Sequence, residues 1–182
     1  MFRHRLQSCG ILKKSSPRYF DISLEKRLAG ARRIAVVGIG DELLPVDRLG
    51  MIIARDIEAL QLSGVRVFFA GTMPESITGS IREFHPDHVL MIDAAEMGAS
   101  PGTAAIIQPG RIEASLFSTH ALPLSAVMEF IAKDIRTRVT LVGIQPEHAI
   151  GCTDLSDLEQ AGVNRLLVSI KRILGEKNTK KM

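Results

Sequence analysis

Short apolar runs alternate along this chain with longer stretches in which apolar residues recur every three or four positions. Ile34-Ala35-Val36-Val37 leads into Gly38-Ile39-Gly40 and reads as a buried first strand. Residues 47–61 follow with Leu49, Ile52, Ile53, Ile57 and Leu60 at helical spacing. Val65 to Ala70 is a second strand, closed by Gly71-Thr72-Met73-Pro74, and Glu75 to Phe84 suits a short helix stopped by Pro86. Val89-Leu90-Met91-Ile92 is a third strand that delivers Asp93. Thr103 to Ile107 reads as a fourth strand between two Pro-Gly pairs, and Ala114 to Phe117 as a further short one. Pro123 to Ile135 is helical by spacing, Val139 to Val142 is a strand, and Leu155 to Leu174 is a long amphipathic helix followed by a Lys-rich end expected to fray. Strand alternating with helix predicts an α/β fold: a three-layer sandwich with a twisted, mostly parallel sheet flanked by helices.

Length and charge refine this picture. The 182 residues suffice for one domain with a real core. The net charge of +3 hides an asymmetry. Residues 1–20 hold five basic residues and no acid, and residues 171–182 carry a net +4, which leaves 21–170 at −6. We therefore divide the chain into a basic N-terminal extension (1–30), a folded domain (31–175) and a frayed basic tail (176–182). An acidic core in a chain with 4% aromatics and no Trp argues against a nucleic-acid surface, and no nucleic-acid partner is expected. No apolar run reaches the roughly 18 residues of a spanning helix, so membrane insertion is not expected. The N-terminus lacks the apolar stretch of a secretory signal. Cys9 and Cys152 form neither a CxxC pair nor a disulfide framework, which fits a reducing, cytoplasmic setting.

Three residues carry the candidate chemistry: Asp47, Asp93 and His120. Each sits just past an apolar strand or beside a tight loop. In an open α/β sheet, residues beyond the carboxyl ends of strands converge on one crevice. Two carboxylates and an imidazole there make an N/O ligand set for a borderline divalent metal such as nickel or zinc. Each has a plainer role open to it. Asp47 can be a helix N-cap, Asp93 can bond a loop amide, and a lone His is usually structural or solvated. Among the other histidines, His85 and His88 fall at the opposite edge of the sheet, and His148 is the best alternative ligand. Gly38-Ile39-Gly40 invites a nucleotide reading. The G-x-G-x-x-G pattern fails, however, because Leu43 stands where its third glycine belongs, and Asp41 and Glu42 would repel a pyrophosphate. No HExxH, G-x-S-x-G or Walker loop is present.

The same residues resemble the NiFe-hydrogenase maturation endopeptidases, of the branch serving hydrogenase 3 and related membrane-bound enzymes. Gly38-Ile39-Gly40-Asp41-Glu42-Leu43 with Asp47 and Gly50 resembles their opening G-x-G-N-x-L…D-D/E-x-x-G. Ile92-Asp93-Ala94-Ala95-Glu96-Met97-Gly98 with Pro101-Gly102 is similar to V-D-A-x-D-x-G…P-G. Ser118-Thr119-His120-Ala121-Leu122-Pro123-Leu124 resembles T-T/S-H-x-x-P-L, and Gly143-Ile144-Gln145-Pro146 the family's G-I-Q-P. The resemblance spans about 34–174 and is colinear. It implies an endopeptidase that removes the C-terminal extension of a nickel-loaded hydrogenase large-subunit precursor. It also implies that Asp47, Asp93 and His120 approach a nickel carried by that precursor, so that the free enzyme need hold no metal. The family often has D-G-G-T/S after the second strand, tied to substrate recognition. Here the segment is Phe69-Ala70-Gly71-Thr72, so only Gly71 and Thr72 carry over as substrate-binding residues. This altered loop leaves room for a different reading, a non-catalytic nickel-checkpoint module on the same fold.

Overall fold

The computed structural model describes residues 17–112, 123–148 and 154–179. Their elements in chain order are α1 (Pro17–Leu28), β1 (Ile34–Ile39), α2 (Leu49–Ala59), β2 (Val65–Gly71), α3 (Thr78–Phe84), β3 (His88–Ala94), β4 (Ala104–Ile107), α4 (Leu124–Asp134), β5 (Arg138–Ile144) and α5 (Asp157–Thr179). Short 3-10 turns at Pro74–Ile77 and Pro109–Arg111 lead into α3 and out of β4. The strands form one sheet in the order β2-β1-β3-β5-β4. All neighbours are parallel except β4, which runs antiparallel to β5. The α/β sandwich expected from the alternation is the fold observed. The proposed strand at Ala114–Phe117 lies outside the described residues.

Strand periodicity builds both layers. Side chains alternate across a strand, so Ile34, Val36, Leu90 and Ile92 face one core, shared with α1, α2 and α5. Ala35, Val37, Val89 and Met91 face the other, shared with α3 and α4. The central strands β1 and β3 are buried along their whole length, which explains their nearly unbroken apolar runs.

The boundaries drawn from charge need correction at both ends. Residues 17–28, assigned to the basic extension, form α1, and Phe20, Leu24 and Leu28 are buried in the same core as Ile34 and Leu49. Four-residue spacing puts these three on one helix face. The Arg, Lys and Glu positions between them made the segment look like solvated chain. Arg172 of α5 reaches Asp21 (3.2 Å) and Glu25 (3.6 Å), so acids on α1 hold it to the last helix. That last helix also continues to Thr179, past the Leu174 end read from its apolar spacing.

At the amino edge, the entries of β1 and β3 are clamped together. One oxygen of Asp87 accepts the N–H groups of Arg32 and Arg33, both at 2.8 Å, and Asp87 N–H donates to Arg33 O (2.8 Å). These backbone bonds, Arg33 first, hold the Asp87 carboxyl below its ordinary value of 3.8. A lowered folded-state value stabilises the fold above the unfolded value and is lost as pH falls through the folded one.

Two outcomes are expected from this packing. Leu24→Ala should cost about 2–5 kcal/mol in chemical denaturation, as for a core leucine; a cost near zero would return α1 to the status of an appendage. Asp87→Asn should flatten the acid limb of the stability–pH curve below about pH 4. Wild-type and variant curves that stay parallel there would remove Asp87 from that role.

Candidate active site

The carboxyl edge of the sheet is assembled around close approaches of backbone. The order changes direction at β1, whose following strand β2 pairs on one side while β3 pairs on the other. Such a reversal opens a crevice between the carboxyl ends of β1 and β3. Helix α2 starts directly above it. A Cβ on Gly50 would stand 2.2 Å from Ile39 O and 2.3 Å from Ile92 O, so no side chain fits where α2 rests on the last carbonyls of both strands. A Cβ on Gly40, which has φ +122°, would meet Asp47 O at 1.9 Å. The loop between β1 and α2 therefore folds back onto the strand end that it leaves.

That fold-back positions Asp47. Its Oδ2 accepts the N–H of Asp41 at 2.8 Å, and the residue is 1% exposed. Asp41 in turn accepts Leu43 N–H (2.9 Å), and Leu44 O accepts from Asp47 N–H (2.9 Å) and Arg48 N–H (3.1 Å). An ion pair between Glu42 and Arg55 ties the loop to α2. The N-cap of α2 is Arg48, without a side-chain cap bond, so Asp47 is not serving as a helix cap. The glycine turn is also filled by the chain's own Asp47 backbone, which is the packing role expected of those glycines and leaves no cradle for a pyrophosphate.

Asp93 is the sixth residue of β3 and is also 1% exposed. Its Oδ1 accepts the N–H of Ala94 at 2.8 Å, the amide bond foreseen as its plainer role. Asp47 and Asp93 thus share the carboxyl edge on either side of the β1–β3 crevice, each with one oxygen bonded to backbone. His120 lies outside the described residues. Among the described residues no group of three or more His, Cys, Asp and Glu side chains could hold a metal ion. Gly71 ends β2 on the same edge, at φ +56°, and its carbonyl accepts Gly40 N–H at 3.0 Å. Thr72 and the exposed Met73 follow it.

The remaining histidines among the described residues separate as expected. His85 follows α3 and His88 opens β3, both at the amino edge. His88 is buried and shares a 2.9 Å hydrogen bond with Thr140. His148 lies at the carboxyl edge, where its Nε2 is 2.7 Å from Glu96 Oε2. That bond, ahead of the Gly98 N–H (3.0 Å), holds the Glu96 carboxyl below the usual glutamate value.

One residue of the site had no role assigned from sequence. Gln145, just past β5, is 3% exposed. Its Oε1 accepts the N–H groups of Met97 (2.7 Å) and Ala99 (3.3 Å), and its Nε2 donates to Glu96 Oε2 (3.2 Å). Its backbone donates to Thr103 O (2.9 Å) and accepts from Gly102 N–H (2.8 Å). Gln145 therefore anchors the whole loop that leaves Asp93. A polar side chain directly after a buried strand and before a proline is the signal that could have marked it.

Comparison with known proteins places this geometry in context. The sequence profile of the hydrogenase maturation protease family HycI matches residues 52–172. The hydrogenase 3 maturation protease of Escherichia coli (strain K12) is 33% identical over 110 residues, covering 60% of this chain and 70% of that protein. The crystal structure of the NiFe hydrogenase maturation protease HycI from Thermococcus kodakarensis KOD1 superposes with a TM-score of 0.73. It is 32% identical and covers 84% of this chain and 99% of that one. The hydrogenase maturating endopeptidase HybD from E. coli gives a TM-score of 0.59 at 25% identity, covering 80% and 93%.

Gln145→Ala should cost about 1–3 kcal/mol, because two half-buried loop amides lose their acceptor. Amide exchange at Met97 and Ala99 should speed up in the variant. A stability change near zero with unchanged exchange would mean that these amides do not depend on this side chain.

Proposed function

Because the chain belongs to the HycI hydrogenase maturation protease family, we propose that it is the endopeptidase that trims the C-terminal extension from a nickel-loaded NiFe-hydrogenase large-subunit precursor, in the cytoplasm. The observation that carries this reading is the pair of buried carboxylates, Asp47 and Asp93, flanking the β1–β3 crevice in a chain of this family. Burying a carboxylate costs several kcal/mol unless something compensates. Backbone amides compensate one oxygen of each. Those bonds also fix the plane of each carboxylate, which a ligand or a base requires.

Nickel enters this scheme as part of the substrate. Asp47, Asp93 and His120 supply oxygen and nitrogen donors that suit it, and three donors leave coordination positions for the precursor's own ligands. With the metal docked, the scissile peptide lies against the same crevice. A carboxylate accepts a proton from the attacking water, the hydroxide adds to the carbonyl carbon, and the C–N bond breaks as the amine takes up a proton. Gly71 and Thr72, on the neighbouring strand end, form part of the surface that reads the precursor. Their backbone setting is intact although the residues before them are Phe69-Ala70, so the partner can differ while the chemistry stays. The non-catalytic checkpoint reading has no specific observation in its favour.

The decisive measurement pairs metal analysis of the purified protein with mass-spectrometric cleavage assays on nickel-loaded and nickel-free precursor. Cleavage of the loaded form alone, by protein isolated without stoichiometric metal, is expected. Asp47→Asn, Asp93→Asn and His120→Ala should each lower turnover by about 10²-fold or more with the fold retained, the scale of acid–base and ligand losses. Equal cleavage of both precursors by a protein holding its own tight metal would replace this mechanism with an autonomous metallopeptidase.

A further inference from the structure

Resting on that reading, we propose that the outer edge of β4 is a docking strand: the precursor's C-terminal extension adds to the sheet there as an extended segment running parallel to β4. Ile144 gives its carbonyl to Ala95 N–H on the β3 side (2.8 Å), whereas Gln145 donates to Thr103 O (2.9 Å). Hydrogen-bonded and non-bonded pairs alternate along an antiparallel ladder. In the register Ala104↔Ile144, Ala105↔Gly143, Ile106↔Val142, Ile107↔Leu141, the bonded residues are therefore Ala105 and Ile107. Ala104 and Ile106 turn their N–H and C=O groups away from the sheet. Among the described residues β4 is the outermost strand on this side. Such an edge is a template for an incoming strand.

A cleft of about 1240 Å3 lies beside this edge. It reaches from Glu96 and Met97, in the loop after Asp93, to His88 and Arg138 at the amino edge of the sheet, with Lys26 and Arg27 of α1 on its wall. This exceeds the roughly 300–1,000 Å3 of a small-molecule site and suits a peptide. It is continuous with the loop leaving Asp93, so a segment in it belongs to whatever Asp93 acts upon. On the proposed reading, the metal and the chain before the scissile bond occupy the crevice. The extension beyond that bond is then the part left to enter the cleft. The far end is basic, with Lys26, Arg27 and Arg138, which complements the carboxylate at the end of the extension.

The register sets the distance. Asp93 pairs with Gly143, and Gly143 with Ala105, so Asp93 and Ala105 stand at one level. Two strand spacings separate them, about 10 Å, and an added strand lies about 5 Å further out. Extended chain covers about 3.3 Å per residue, so pairing starts about four or five residues beyond the cleaved bond.

The test uses the full chain and a synthetic peptide spanning the cleavage site and the whole extension. With saturating peptide, amide exchange at Ala104 and Ile106 should slow by at least tenfold, while Ala105 and Ile107, already bonded to β5, should not change. On nickel-loaded precursor, removing the extension beyond its fifth residue should raise KM about tenfold with kcat within twofold. Ala104→Pro should do the same, since it removes an outward N–H and leaves the β4–β5 bonds in place. Normal processing with unchanged exchange at Ala104 and Ile106 overturns the strand addition alone. So does protection already present without peptide, or rising with protein concentration, which would mean that the edge is paired within or between copies of the chain. Failure of the wild-type protein to cleave loaded precursor overturns the functional reading and this proposal with it.

Discussion

Everything at the carboxyl edge depends on how closely helix α2 rests on the ends of β1 and β3. With a side chain at position 50, α2 would have to lift away from Ile39 O and Ile92 O, each now little more than 2 Å from the point a Cβ would occupy. The loop before α2 would lift with it. That loop is folded so tightly over Gly40 that Asp47 reaches back to the Asp41 amide. A charged group is thus brought to 1% exposure by steric closeness of backbone, with a hydrogen bond offsetting part of its desolvation. The same contact sets α2 across the gap between β1 and β3, where the strand order reverses. Packing therefore comes first, and the chemistry of the crevice follows from it.

A second constraint comes from chain length. Only residues 95–103 separate β3 from β4. A parallel crossover needs a dozen or more residues, usually with a helix. The chain instead crosses the carboxyl end of β5 and returns antiparallel on its far side. A loop stretched over a strand end leaves amides pointing inward, and each would be costly if unmade. Gln145, the first residue past β5, sits under that span and satisfies two of them through one oxygen. The reversal of β4, the buried Gln145 and the outward-facing amides of Ala104 and Ile106 are consequences of one short connection.

The layers of the fold were legible in the sequence because strand and helix periods are local. Ile34 to Ile39 and His88 to Ala94 announce buried strands by composition, and Asp93 is placed by nothing more than its position after four apolar residues. The edge shared by Asp47, Gly71 and Asp93 followed from the rule that loops after parallel strands converge. What escaped were features set by long-range contacts. The partner of Asp47 is an amide six residues back, reached only because Gly40 allows the fold-back, so an N-cap was the natural local reading. Helix α1 was hidden because its charged positions dominate any count. Its three buried residues gain meaning only against β4 and α5. Gln145 bonds a loop nearly fifty residues away, which no window of sequence contains.

The bracing of the site by backbone has a consequence for partner choice. Gly40 donates to the carbonyl of Gly71, and the loop after β1 is closed by main-chain and aspartate bonds. None of these uses the side chains of Phe69 or Ala70, where family members often have acidic and glycine residues. Phe69 is exposed, whereas Ala70 is tucked against the sheet face below. On the proposed function, changes at such positions would alter the surface offered to a precursor without moving Asp47, because the bond linking the two strand ends is independent of side-chain identity. Recognition can then diverge among related proteases while the carboxylates keep their placement. Such a separation suits a protease family in which surface loops set the partner and a fixed scaffold holds the site.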